Sequence, residues 1–252
     1  MDRTLTQNPQ EHLVSVTAGE VKLEGNLVIP DGATGIVLFA HGSGSSRHSP
    51  RNRYVAEVLQ QAGLATLLID LLTLEEEEID LRTRHLRFDI GLLASRLVGA
   101  TDWLTQNPDT RHLKVGYFGA STGGGAALVA AAERPEAVQA IVSRGGRPDL
   151  AGSALPHVTA PTLLIVGGYD LPVITMNEDA LEQLRSPKRL EIVPKATHLF
   201  EEPGALTAVA QLASEWFTHY LIPIHEIIDT NSFLCPSAPS ASSACLSVSF
   251  FK

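Results

Sequence analysis

Three features of the 252-residue sequence predict an α/β architecture with a doubly wound, mostly parallel sheet. Apolar runs of strand length alternate with helix-like segments over about 190 residues. The runs are apolar throughout rather than alternating, as strands covered on both faces must be. The length also suits one α/β domain, since such domains commonly reach about 250 residues.

The elements follow in order. HLVSVTA and EVKLEGNLVIP are β-branched stretches separated by Gly19, which reads as an antiparallel hairpin. The next strands are expected at GIVLFA, LATLLID, LKVGYF, AVQAIVS, APTLLIVGG and RLEIVP. Helices are expected near residues 51–62, 88–106, 122–133, 177–186 and 204–220. In the second of these, Ile90, Leu93, Leu97, Val98 and Trp103 recur near the 3.6-residue period. After Leu221 the text changes to IPIHEIIDTNSFLCPSAPSASSACLSVSFFK, rich in Ser, Ala and Pro and without period. The domain is therefore expected to span residues 1–221, with 222–252 a low-complexity tail, disordered or foreign to the domain.

Composition excludes several classes. A formal charge of −9 and scattered arginines argue against a nucleic-acid partner, because phosphate neutralisation needs a Lys/Arg surplus. The two cysteines, Cys235 and Cys245, both fall in the tail, so the body uses neither disulfides nor cysteine metal sites. The polar start MDRTLTQNPQEHLVSV has no apolar signal core, and no run approaches the ~18 apolar residues of a membrane helix. The expectation is a cytoplasmic protein without a membrane partner, monomeric or homodimeric.

The chemistry centres on GASTG, a G-x-S-x-G pattern formed by Gly119, Ser121 and Gly123. The pattern alone is weak; its context, LKVGYF before and AALVAAAE after, is the strand–turn–helix such an elbow requires. A serine at that tip is held in unfavourable dihedrals, and glycines on either side let the backbones approach. Its hydroxyl needs a base. Asp170 closes TLLIVGGYD after the next-to-last strand, and His198 lies in IVPKATHLFEEPG after the last. Both are at strand carboxyl ends, where open α/β sheets bind ligands. Ser121 is assigned as nucleophile, His198 as base and then acid, and Asp170 as the group orienting His198. Asp149, in RGGRPDL, is the rival acid.

Oxyanion donors are expected from the backbone N–H of Thr122 and from the loop FAHGSGSSRHSPRN, with Ser43 favoured and Gly42 the alternative. Gly42, Arg144 and Arg147 are expected to meet the substrate, the arginines by holding a carboxylate; pairing of an arginine with Asp149 is the competing reading. The run Glu75–Glu78 reads as a solvated loop or helix start, because consecutive acids do not converge on one face. The histidines show no metal spacing, and GSGSS lacks both nucleotide-loop patterns, so neither metal nor cofactor is expected.

Together HGSG, GASTG, GGYD and ATHLFEEPG, in this order across roughly residues 12–221, resemble the α/β-hydrolase superfamily and its dienelactone-hydrolase-like branch. The resemblance implies the α/β-hydrolase fold, with an eight-stranded sheet whose second strand is antiparallel, and a cofactor-free Ser-His-Asp hydrolase working through an acyl-enzyme. True dienelactone hydrolases carry cysteine at the elbow. Ser121 there points instead to general carboxylic-ester hydrolysis of a small-molecule substrate. Only about 18 residues separate Ser143 from Pro161, too few for a large cap, so an open site for short or medium acyl esters is expected. An acyltransferase on the same residues, or a non-catalytic binding protein on this scaffold, are the alternatives.

Overall fold

The computed structural model describes residues 10–223. The expected tail from residue 222 onward, with both cysteines, lies outside the described residues but for its first two.

Eight strands form one sheet in the order β1-β2-β4-β3-β5-β6-β7-β8. The opening hairpin is β1 (Glu11–Ala18) and β2 (Val21–Val28), turned at Gly19 with φ +65°. Strand β2 runs antiparallel to both β1 and β4 (Ala65–Ile69). From β4 through β3 (Gly35–Ala40), β5 (Lys114–Ala120), β6 (Val138–Arg144), β7 (Thr162–Gly167) and β8 (Lys188–Val193) every pairing is parallel. The central strands β3, β4, β6 and β7 are buried along nearly their whole length, which is why their text does not alternate.

Helices α1 (Pro50–Gln61) and α6 (Ala205–Leu221) cover one face; Val55, Leu59, Phe217 and Leu221 meet Phe39, Phe118 and Val142. On the other face α3 (Ile90–Gln106) and α4 (Thr122–Glu133) bring Leu93, Leu97, Ala126 and Leu128 onto Leu38, Tyr117 and Ile141. The capping chemistry matches the sequence. Ser49 caps α1, Asp89 caps α3, and Thr73 with Glu76 forms a reciprocal capping box at α2 (Leu74–Thr83). The run of acids is thus the first turn of α2, where negative charge suits the helix dipole. Glu76 is further held by Arg96 at 2.5 Å.

Two helices differ from expectation: α2 is additional to the five foreseen, its acids having been read as a loop or helix start, and α5 is shifted. The segment foreseen at 177–186 is α5 (Leu171–Gln183), which starts directly after Asp170 with a proline in its first turn. It ends early because Leu184 is already extended and Pro187 follows, and prolines disfavour helix before them. Between β6 and β7 lies a 3-10 stretch, Pro148–His157, broken at Gly152. It packs on α4 and α5 and leaves no large cap.

Candidate active site

Each candidate side chain sits in a turn at the carboxyl edge of the sheet. Ser121 joins β5 to α4 with φ +51° and ψ −120°, a conformation costing a non-glycine residue roughly 1–3 kcal/mol. Neighbours hold it there. Its N–H donates to the Arg144 carbonyl at 3.2 Å, and its carbonyl accepts from Gly124 and Arg147, both at 3.0 Å. The close packing explains the glycines. A Cβ on Gly119 would lie 2.5 Å from the Gly124 Cα, and one on Gly123 would fall on the Ala40 carbonyl oxygen and 2.5 Å from that of His41. Gly124 and Gly125 serve packing as well, against Ser143 and the Arg147 carbonyl.

Asp170 and His198 come from separate loops that are tied together. Gly168 N–H donates to the Val193 carbonyl and Tyr169 N–H to the Ala196 carbonyl, at 2.8 and 2.9 Å. Gly167 allows this, since a Cβ there would sit 2.6 Å from the Thr197 carbonyl oxygen. As a result His198 Nδ1 lies 2.6 Å from Asp170 Oδ2, and Nε2 lies 3.3 Å from Ser121 Oγ. The imidazole side chain is 38% exposed and the carboxylate 14%. Glu202 accepts from the Thr197 N–H at 3.0 Å and braces the histidine loop. That bond holds the exposed Glu202 carboxyl below its usual range.

The rival acid is occupied elsewhere. Asp149 takes both Nε and Nη2 of Arg147, at 2.8 and 2.7 Å, so this arginine is paired and the acid is turned from His198. Arg144 is buried, and among the described residues no acid pairs with it.

The HGSG loop lies over the elbow. A Cβ on Gly42 would be 3.2 Å from the Ser121 Cβ, and Ser43 and Thr122 line one small cleft with Leu71, Leu72 and Leu93. Among the described residues neither the Ser43 nor the Thr122 amide donates to a backbone carbonyl. His41 holds the loop. The Leu71 N–H donates to its Nε2 at 3.1 Å, so the proton sits on Nδ1, which reaches the Gly42 carbonyl at 2.9 Å. Burial pushes this imidazole below its ordinary value. In the wall of the cleft, Asp80 accepts from Leu86 and Arg87 amides and pairs with the Arg87 guanidinium.

Sequence reasoning missed three of these supports. Asn177, buried inside α5, donates to the Gly146 carbonyl at 3.0 Å and fixes the turn after β6. Glu202 and the Asp80–Arg87 pair act across loops. Asn177 lies 31 positions from Gly146, while Glu202 and Asp80 sit five and seven positions from their partners in turns that no periodic pattern marks. Among the described residues no group of three metal-ligating side chains converges, and no helix is long and apolar enough to cross a membrane.

A serine on a strand-to-helix elbow, faced by a histidine after the last strand of such a sheet, defines the α/β-hydrolase class. Within it, the dienelactone hydrolase family model matches residues 23–221, and the chain belongs to that family. A dienelactone hydrolase from Anabaena variabilis, known by its crystal structure, is 88% identical with a TM-score of 0.85, covering 85% of this chain and 100% of that one. A Mycobacterium tuberculosis protein provisionally named a phosphoribosyl transferase is 61% identical over 208 residues, 82% of this chain and 46% of that protein. The chain thus spans about half the length of the curated relatives it matches. A dienelactone-hydrolase-like promiscuous phosphotriesterase from metagenomic libraries shares the fold, with a TM-score of 0.69 at 18% identity over 85% of this chain and 100% of that one.

Proposed function

We propose that the chain is a serine hydrolase of carboxylic esters with short or medium acyl groups. The observation that carries this reading is the line of contacts from Asp170 through His198 to Ser121, 2.6 and 3.3 Å long. Asp170 accepts the Nδ1 proton and leaves Nε2 as a base toward the serine hydroxyl. Ser121 Oγ attacks the ester carbonyl while its proton passes to His198 Nε2. The resulting oxyanion is held by the Ser43 and Thr122 amides, each donor contributing about 3 kcal/mol to such a transition state. Collapse expels the alcohol, which takes the proton from Nε2. Water, activated by the same nitrogen, then releases the acid and restores Ser121. The 3.3 Å contact is loose, as such contacts are before substrate binds. The short 3-10 connection between β6 and β7, in place of a large cap, supports the chain-length preference.

The test is a series of p-nitrophenyl esters from C2 to C12, run on the wild type and on Ser121→Ala. Hydrolysis of the shorter esters, abolished in the variant, is expected; full activity in the variant would overturn the mechanism.

The transferase name of the Mycobacterium tuberculosis relative attaches to a protein of which 46% is matched. We assign that activity to the part this chain does not cover. Incubation with phosphoribosyl pyrophosphate is expected to release no pyrophosphate; release at an enzymatic rate would refute the assignment.

A further inference from the structure

Arg144 ends β6 with only 7% of its surface exposed. It shares the sheet face of Ala140 and Val142, which α1 and α6 cover. Its Nε and Nη1 find no hydrogen-bond partner, and the Phe200 ring, 5.9 Å from Cζ, is a weak substitute for an anion. The charge that acts on it is another cation, Arg51 in the first turn of α1. Burial and that like charge together pull its pKa down to about 10. Arg51 has a buried Nε without a partner as well. Its Nη1 reaches Glu201 at 3.2 Å, but that carboxylate is 64% exposed and free to turn into water.

Two guanidinium groups, Arg51 carried by the first turn of α1, are therefore close enough to repel, and among the described residues no acid is buried with them. Unpaired buried charge is strongly unfavourable, so the arrangement fits an occupant that brings negative charge. We propose that Arg144 and Arg51 bind a phosphate group on the substrate, so that the ester attacked is an acyl ester of a phosphorylated alcohol. A phosphate monoester carries close to two negative charges near pH 7 and several acceptor oxygens, matching two guanidinium forks; a carboxylate would balance one. Placement on the alcohol half follows from position. The residue after Arg144 is Gly145, where a Cβ would lie 3.5 Å from His198 Nδ1, and Phe200 is two residues past His198. His198 is the group that protonates the leaving alcohol, so this placement rests on the function proposed above. The anion site itself does not.

The binding experiment uses the Ser121→Ala chain, titrated calorimetrically with inorganic phosphate and phenyl phosphate, and with succinate and chloride at matched ionic strength. The phosphates are expected to bind one to one, at least tenfold tighter than succinate. Arg51→Gln is expected to weaken them several-fold, and Arg144→Met tenfold or more. Absence of phosphate binding in the unsubstituted arginine background would overturn the site whatever the variants' folding, and equal binding of succinate would overturn its assignment to phosphate. The second arm compares 4-acetoxyphenyl phosphate with phenyl acetate on the wild-type chain. The phosphorylated ester is expected to have a kcat/KM at least tenfold higher, through KM, and Arg144→Met to erase that ratio. An unchanged ratio would overturn the placement on the alcohol. Should Ser121→Ala keep hydrolysing esters, the proposed function fails while the binding arm still reports on the site.

Discussion

Replacing Asp170 with asparagine tests the heart of the site with little disturbance to the fold. The carboxylate is 14% exposed and accepts a 2.6 Å charge-assisted bond from His198. It caps no helix amide, and the loop is held by the backbone bonds of Gly168, Tyr169 and Asp170. The amide keeps the shape of the acid but presents an N–H₂ group to Nδ1, which then carries no proton. The proton moves to Nε2, the nitrogen that must accept from Ser121. A loss of about 10,000-fold in kcat is expected, or roughly 5.4 kcal/mol at 1.36 kcal/mol per tenfold. Unfolding free energy should change by less than about 1 kcal/mol. Asp149→Asn is the paired control. It breaks a half-exposed pair with Arg147, worth at most about 1 kcal/mol, and should leave kcat within about twofold. The assay is steady-state hydrolysis of p-nitrophenyl acetate by both variants beside urea unfolding curves. If Asp149→Asn lost more activity than Asp170→Asn, the assignment of the orienting acid would be wrong.

Other outcomes follow from the same geometry. Gly123→Ala drives a methyl into the carbonyls of Ala40 and His41, which are backbone and cannot yield, so about 3 kcal/mol of stability should be lost in urea unfolding. Asp80→Asn leaves the Arg87 guanidinium without its counter-charge and should cost about 3–5 kcal/mol. Burial opposes the Asp80 charge, but the Arg87 bonds outweigh it and hold the carboxyl below its usual range. Its contribution is therefore present above about pH 4 and fades as pH falls below that. His41 is kept neutral, with a pKa below its ordinary 6.5. Below that pH the unfolded chain gains a proton that the folded loop resists, so stability should decline as pH falls, and the decline should be smaller in His41→Gln. A chain ending at Leu221 is expected to keep the ester activity and cooperative unfolding of the full chain; loss of either would extend the domain past that residue.

The sheet was legible because its text is local. A strand buried on both faces must be apolar over most of its length: β3 is so throughout, β4 but for Thr66, β7 after Thr162, and β6 over Ala140–Val142. The elbow was legible because its G-x-S-x-G spacing sits between a strand and a helix; Gly119 answers to Gly124 nearby, although Gly123 answers to the distant Ala40 and His41 carbonyls. Helix α5 was misplaced because a buried Asn177 and the early proline break the periodic signal, and the helix start is set by Asp170 holding the end of β7. Arg144 and Arg147 could not be told apart in SRGGRPDLAG. One ends β6 and the other lies three residues on, and neither the spacing nor the residue type says which one finds Asp149.

By itself, then, the sequence determined the order of the strands and of the helices other than α2, the strained serine turn, and the two loops expected to carry an acid and a histidine. Those properties depend on backbone sterics and burial pattern, which act between near neighbours. The tertiary structure decided which acid faces His198, which arginine is paired and which is left buried without an anion, and that His41 braces the Gly42–Ser43 loop. The Asp170–His198, Arg51–Arg144 and His41–Leu71 approaches join residues far apart in the chain; Arg147 and Asp149 are two positions apart, and their pairing rests on how the turn after β6 folds. Charges and hydrogen bonds lose their force within a few ångströms, so only the folded approach of β6, β7, β8 and α1 could settle them.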